Sequence, residues 1–172
     1  LKEDHAVIKR VLGTLKDALA SDELPLEMLL DTVTFSQTLV DRCHHSKEED
    51  CLFPCLENRG MPKEGGPIGI MLMEHEMGRK LVGAIEDALT RYQAGESTKE
   101  EVVKLCDEYI DLLEQHICKE DNILFNMGSQ IMLPADDEKT VECYEKTELE
   151  KVGEETHREM LELVKKIEGM NK

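Results

Sequence analysis

Apolar positions recur along the chain at alternating intervals of three and four residues. His5, Ile8, Leu12, Leu15 and Leu19 form one such row, and His75, Gly78, Val82, Ile85 and Leu89 form another. This spacing places each row on one face of a helix and marks the seam of an antiparallel bundle. β-branched runs are absent, and turn signals divide the chain into segments: Ser21 to Pro25, the Gly/Pro stretch from Asn58 to Pro67, Gly95 and Pro134. Helices are therefore predicted at about 2–20, 26–57, 68–93, 97–128, 136–151 and 154–169. The fold class expected is all-α: an up-down antiparallel four-helix bundle over residues 1–130, with a C-terminal helical extension, 131–172, packed on it as part of one domain.

The other two rows carry chemistry. In the second helix the seam reads Val33, Gln37, Val40, His44, Glu48, Cys51, Cys55. In the fourth it reads Leu105, Tyr109, Leu112, His116, Glu120, Ile123, Met127, each member 72 residues after its counterpart. The histidines and glutamates thus point where leucines would otherwise stand. The segments HHSKEEDCLF (44–53) and HICKEDNILF (116–125) align without gaps. The duplication extends further, with Asp4-His5 matching Glu74-His75, Lys9 matching Arg79 and Gly13 matching Gly83. The hairpin of the first two helices is repeated as that of the third and fourth.

Spacing brings the two halves together. His5 precedes His44 by 39 residues, and His75 precedes His116 by 41. A helix of about 27 residues extends roughly 40 Å, so a histidine early in an up helix and one late in the following down helix share a height. His5, His44, Glu48, His75, His116 and Glu120 then converge on one layer. A buried layer of two carboxylates and four imidazoles costs several kcal/mol unless cations compensate it. The donor set is borderline to hard, suited to iron or manganese, and two glutamates shared among four histidines suggest two ions bridged by carboxylates.

The net charge of −17 argues against nucleic acid and anionic membranes as partners. No apolar run is long enough to span a bilayer, and no signal peptide is evident. The first residue is Leu rather than Met, as expected where a few leading residues are missing. The six cysteines lack the close loop spacing of a disulfide scaffold, so reduced thiols and a cytoplasmic location are expected. Cys51 and Cys55 stand four apart, but their counterparts are Ile123 and Met127, which favours packing over metal binding.

The order H … HxxxE … H … HxxxE, with KEEDxLFP and KEDNxLF beside it, resembles the hemerythrin-like (HHE cation-binding) family over roughly residues 2–130. The resemblance implies a non-haem di-iron centre with His5, His44, His75 and His116 as ligands, Glu48 and Glu120 as bridging carboxylates, and a solvent-derived oxo or hydroxo bridge; manganese or zinc are alternatives. The chain departs from the oxygen-carrying members in two places. Arg79 stands where they have a second histidine on the third helix. Asp121 sits at their aspartate offset and competes with Glu120 for the role of ligand. His157, on a last helix whose apolar face is Met160, Leu161 and Val164, and His45, rotated about 100° from the seam, are candidates for a fifth ligand or for outer partners. Arg79, Glu49 and Asp121 are expected around the ligands. The function implied is binding of, or response to, O2 or a related small oxidant. Alternatives are an enzyme acting on peroxide, nitric oxide or ferrous iron, including iron repair, and a metal store or iron sensor acting through an unidentified partner protein.

Overall fold

The structure, a computed structural model, describes residues 1–170. It contains six helices and, among the described residues, no strand. Helix α1 is Lys2–Leu19. Helix α2 runs unbroken over residues 26–58, from α-helix at Leu26–Phe35 through π-helical turns at Ser36–His45 and Glu48–Leu52 to α-helix at Phe53–Asn58. Helix α3 is Pro67–Gln93. Helix α4 covers 99–131, with a π-helical turn at Glu120–Leu124 between α-helical Lys99–Lys119 and Phe125–Ile131. Helices α5 (Pro134–Lys151) and α6 (Glu154–Gly169) follow.

The predicted boundaries agree to within three residues, because the punctuation does the work the sequence suggests. Thr98 caps α4 by accepting the Glu101 N–H. Gly95 and Gly153 adopt positive φ at the ends of α3 and α5, a conformation that favours glycine. Pro67 and Pro134 open α3 and α5, where a missing N–H costs nothing. The Asp136 carboxylate accepts the Leu133 N–H and a two-pronged ion pair from Arg59, fastening the start of α5 to the end of α2.

Helices α1 to α4 form the bundle, each packed against its two neighbours in the ring. Helix α6 lies against α1 and α2 through Met160, Val164 and Ile167, while Leu161 faces outward. Helix α5 lies along the π-helical stretch of α2. The apolar interior is divided. A long core containing Ile8, Leu12, Leu15, Val40, Ile85, Leu89 and Ile110 fills most of the bundle, and a smaller cluster around Leu52, Phe53, Leu56, Ile68 and Leu124 fills the end near the 58–67 loop. A polar layer separates them.

Two sequence expectations are corrected here. The seam assigned to α4 is right up to Glu120 and wrong beyond it: Ile123 is 52% and Met127 41% exposed, whereas Leu124 and Gly128 are buried. The cause is the π-helical turn at Glu120–Leu124. Its i→i+5 hydrogen bonds admit one extra residue and shift the inward face by one position. Gln37 in α2 is likewise exposed, bonded to Glu86. Secondly, Cys51 and Cys143 form a disulfide, so the thiols are not all reduced. The pair is 92 residues apart and is brought together by the packing of α5 on α2, a juxtaposition that loop spacing could not reveal. The reduced-thiol argument for a cytoplasmic location therefore fails for these two residues. Cys43, Cys55, Cys106 and Cys118 are free. Burial pushes the Cys43 thiol up to about 11 and that of Cys106 to about 12, which makes both unreactive at neutral pH.

Candidate metal centre

The six convergent residues form the polar layer. His5, His44, His75, His116, Glu48 and Glu120 are all buried, the two glutamates with no exposure at all. The rings pair across the bundle: His5 Nε2 lies 3.1 Å from His44 Nε2, and His75 Nε2 lies 3.2 Å from His116 Nε2. Between the pairs sit the two carboxylates. Glu120 places one oxygen 3.1 Å from His5 Nε2 and the other 3.2 Å from His116 Nε2. Glu48 places one oxygen 3.3 Å from His75 Nε2 and the other 3.7 Å from His44 Nε2. Two four-membered donor groups result, His5–His44–Glu48–Glu120 and His75–His116–Glu48–Glu120, and both glutamates belong to each.

Each ring is held from behind by the same three-part arrangement. His5 Nδ1 is 2.8 Å from Asp121, and Asp121 is paired with Lys9. His44 Nδ1 is 3.1 Å from Asp4, which has Lys47 3.7 Å away. His75 Nδ1 is 2.7 Å from Glu49, which is paired with Arg79. His116 Nδ1 is 3.0 Å from Glu74, which is paired with Lys119. Each outer carboxylate has a cation beside it, and two of those cations are shared: Lys47 also pairs with Glu148, and Arg79 with Asp41 and Glu76. Phe125 stacks on His5 at 5.6 Å and Phe53 on His75 at 5.8 Å, closing the layer from the loop end.

These contacts fix one proton on each ring. A carboxylate only accepts, so each Nδ1 must carry the ring proton, and each neutral ring then presents its Nε2 lone pair to the interior. There the lone pairs meet one another and the carboxylate oxygens. All four oxygens of Glu48 and Glu120 are buried without a hydrogen bond. Such groups are costly in a protein interior unless a positive charge lies among them. The donor set fits a pair of cations bridged by two carboxylates.

The titration behaviour agrees. Burial and the neighbouring Glu120 charge push Glu48 well above its usual range. Burial acts on Glu120 in the same sense but is outweighed by His116 and His5, which hold it low. Burial pushes His44 down to about 4 despite Asp4, so it is neutral at pH 7. At His116 the burial penalty is overcome by Glu120, and its pKa rises.

The remaining candidates separate clearly. Asp121 and Glu49 stand outside the layer as Nδ1 partners, and Arg79 and Lys9 neutralise them. His45 is buried, with its ring stacked on His75 at 3.8 Å and Nδ1 3.4 Å from Asp41. It sits on the flank of the layer, as a rotation of that order places it: His44 meets His5 of α1, and His45 meets His75 of α3. His157 is not brought to the layer: it is 31% exposed and lies 3.7 Å from Glu148. Cys51 is in the disulfide and Cys55 belongs to no donor cluster. Sequence reasoning passed over Asp4, Glu74, Lys47 and Lys119 as functional residues. Their signal was present, an acidic residue directly before His5 and His75 and a lysine directly before Glu48 and Glu120.

With this geometry in hand, comparison with known proteins is decisive for the family. The model of the hemerythrin HHE cation-binding domain matches residues 1–127. The chain belongs to this family. Among its relatives, uncharacterized proteins of Mycobacterium tuberculosis and Mycobacterium bovis are 24% identical over 98% of this chain and 67% of their own length. An iron-sulfur cluster repair protein of Salmonella schwarzengrund, YtfE, is 35% identical over 48% of this chain and 39% of its own. No solved structure matches significantly. For this member of the HHE family the fold is the helical bundle expected; the family model implies a metal-binding site, and the layer is a cluster of histidines and glutamates able to hold a metal. No helix among the described residues is long and apolar enough to cross a membrane.

Proposed function

We propose that this protein holds two iron ions in a carboxylate-bridged centre and uses them to bind or respond to O2 or a related small oxidant. The observation that carries the reading is the set of four buried carboxylate oxygens, all without hydrogen bonds, facing four Nε2 lone pairs. His5 and His44 would hold one ion, His75 and His116 the other, with Glu48 and Glu120 shared between them. Four imidazoles and two carboxylates suit iron or manganese better than a softer ion.

Iron held by these residues would supply electrons to a small oxidant. The chain's own residues do the rest. Asp121, Asp4, Glu49 and Glu74 fix the ring tautomers and orientations, and Lys9, Lys47, Arg79 and Lys119 stand beside those carboxylates. Phe53, Phe125 and the apolar residues on either side keep the layer dry, which preserves the strength of its electrostatics.

A second reading, in which the iron is handed on or used in iron repair, draws on the likeness to the iron-sulfur cluster repair protein over about half the chain. The two readings separate in one experiment. Metal analysis of the purified protein is expected to give two iron per chain, and the ferrous protein is expected to change its absorption spectrum when O2 is admitted. A protein that binds two iron ions, gives no optical response to O2 and transfers iron to an acceptor would support the second reading. A protein that binds no iron would refute both.

A further inference from the structure

Helix α5 lies outside residues 1–127, the part matched by the domain model, and it closes a space of its own against the bundle. A cavity of about 250 Å³ lies between α5 and the bundle end that carries the smaller apolar cluster. Leu52, Leu56, Leu124 and Phe125 supply the bundle's side of it, and Thr140 and Tyr144 are among the residues on the α5 side.

The α5 wall is fastened on both sides of the cavity. Asp136 is paired with Arg59 of α2, and Cys143 is joined to Cys51 of α2. Thr140 stands between these attachments and Tyr144 just beyond the second, four residues apart and hence on one face of the helix. The cavity is therefore preformed, as ligand sites usually are.

Its polar groups are unspent. Thr140 is 6% exposed, and among the described residues neither its hydroxyl nor that of Tyr144 has a hydrogen-bond partner. Burial pushes the Tyr144 hydroxyl above its usual range, so it keeps its proton at neutral pH and can both donate and accept. A buried hydroxyl without a partner is costly, and here two of them share one space with apolar walls. That combination fits a ligand with an apolar body and one hydroxyl of its own. The charged residues at the cavity, Lys2 and Asp137, are exposed and of opposite sign, which gives an ionised ligand no advantage.

Size and shape narrow the class further. An apolar cavity of about 150 Å³ accommodates benzene, so the present one has room for a single ring with a short substituent. Phe125 favours a ring as well, because it lines the cavity and aromatic pairs gain more than their buried area.

We propose that this cavity binds a neutral single-ring hydroxyaromatic molecule, its ring against Leu52, Leu56, Leu124 and Phe125 and its hydroxyl on those of Thr140 and Tyr144. Phe125, which stacks on His5, then stands between the bound ring and the polar layer. The site needs no metal, so it does not rest on the two-metal reading.

Phenol is the probe, titrated calorimetrically into the protein as purified, with toluene, of similar shape but without the hydroxyl, as the comparison. Phenol is expected to bind once per chain with a Kd of about 1 mM or tighter, and toluene about 5- to 10-fold more weakly. Thr140→Val and Tyr144→Phe preserve the shape of the wall and should each weaken phenol by a similar factor without weakening toluene. Thr34→Val, exposed on α2, should change neither. Absence of saturable phenol binding, equal binding of the two ligands by wild type, or wild-type phenol affinity in both folded variants would each overturn the proposal. The wild-type comparison decides the matter even where a variant fails to fold. A visible absorption band that appears with phenol in the iron-loaded protein would place the phenol oxygen on a metal ion, overturning the cavity site while supporting the metal centre. A chain that binds no iron but shows the expected phenol preferences would uphold the cavity site and refute the proposed function.

Discussion

His5 Nε2 lies 3.1 Å from His44 Nε2, while both rings commit their Nδ1 protons to the outside, to Asp121 and Asp4. Nothing in the protein supplies a proton between them. A cation there converts a repulsive contact into two bonds. Ferrous or manganous ion, added anaerobically, should therefore raise the melting temperature. At 1,000 times the dissociation constant the gain is about 4 kcal/mol, or roughly 8–16 °C for a chain of this size. A melt followed by circular dichroism that is unmoved by the metal would count against the site.

Glu48 and Glu120 are shared by both donor groups. Replacing Glu48 with Gln removes a buried charge and one bridge. Metal stoichiometry should fall below two, while the metal-free variant should be more stable than metal-free wild type by about 1–3 kcal/mol. Metal analysis and chemical denaturation test the two halves separately. A metal-free variant less stable than wild type would show that the carboxylate is satisfied in some other way.

Asp121 touches no ion in this scheme, yet it orients His5 through Nδ1. Asp121→Ala should weaken metal binding by about 10–100-fold with little loss of helix. Chelator competition measures the first and circular dichroism the second. Unchanged affinity would mean that packing alone, including the stacked Phe125 ring, holds His5 in place.

The pH dependence follows from Glu48, whose pKa in the folded, metal-free chain lies well above the ordinary 4.5. The stability this group contributes is full below 4.5 and is lost as pH rises toward its folded pKa. In the same range a proton on the carboxylate competes with the metal. Both effects make the metal-induced thermal shift grow as pH rises above the ordinary carboxylate range. His44, pushed down to about 4, takes no proton from the solution in that window. Melts with and without metal at a series of pH values test this, and a shift of constant size would refute it.

The Cys51–Cys143 disulfide ties α5 to the π-helical stretch of α2 across 92 residues of sequence. Cys143→Ser should lower stability by about 2–4 kcal/mol and expose α5 to limited proteolysis while α1 to α4 persist. A cleavage pattern identical to that of the wild type would show that Thr140, Thr147 and the Arg59–Asp136 pair suffice to hold it.

Most of this architecture was legible in the sequence because helical periodicity is a local signal. His5, Leu12, Val82 and Leu89 were placed correctly by spacing alone. The layer was legible because the duplication repeats the same polar residues at inward positions. Three features were not. The extra residue in the turn at Glu120–Leu124 hides Leu124 and Gly128 from a three-four count and turns Ile123 outward. The burial of His45 depends on how closely α3 packs on α2, a long-range contact with no local trace. The pairing of Cys51 with Cys143 depends on where α5 docks, a long-range event with no local trace. His157 shows the opposite error: an apolar helix face near a histidine suggested reach toward the centre, but α6 spends that face on α1 and α2.

The π-helical turns at Glu48–Leu52 and Glu120–Leu124 stand at matching places in the two hairpins. Removing a single residue from either would give a regular α-helix with better hydrogen bonds and a smoother seam, and would rotate every side chain beyond it away from the present interior. The centre is thus kept by a defect. A chain selected for thermal stability alone would tend to lose these two residues, and with them the alignment of Glu48 with Leu52 and of Glu120 with Leu124. The length of each site helix, counted in residues, is itself a functional trait of this protein.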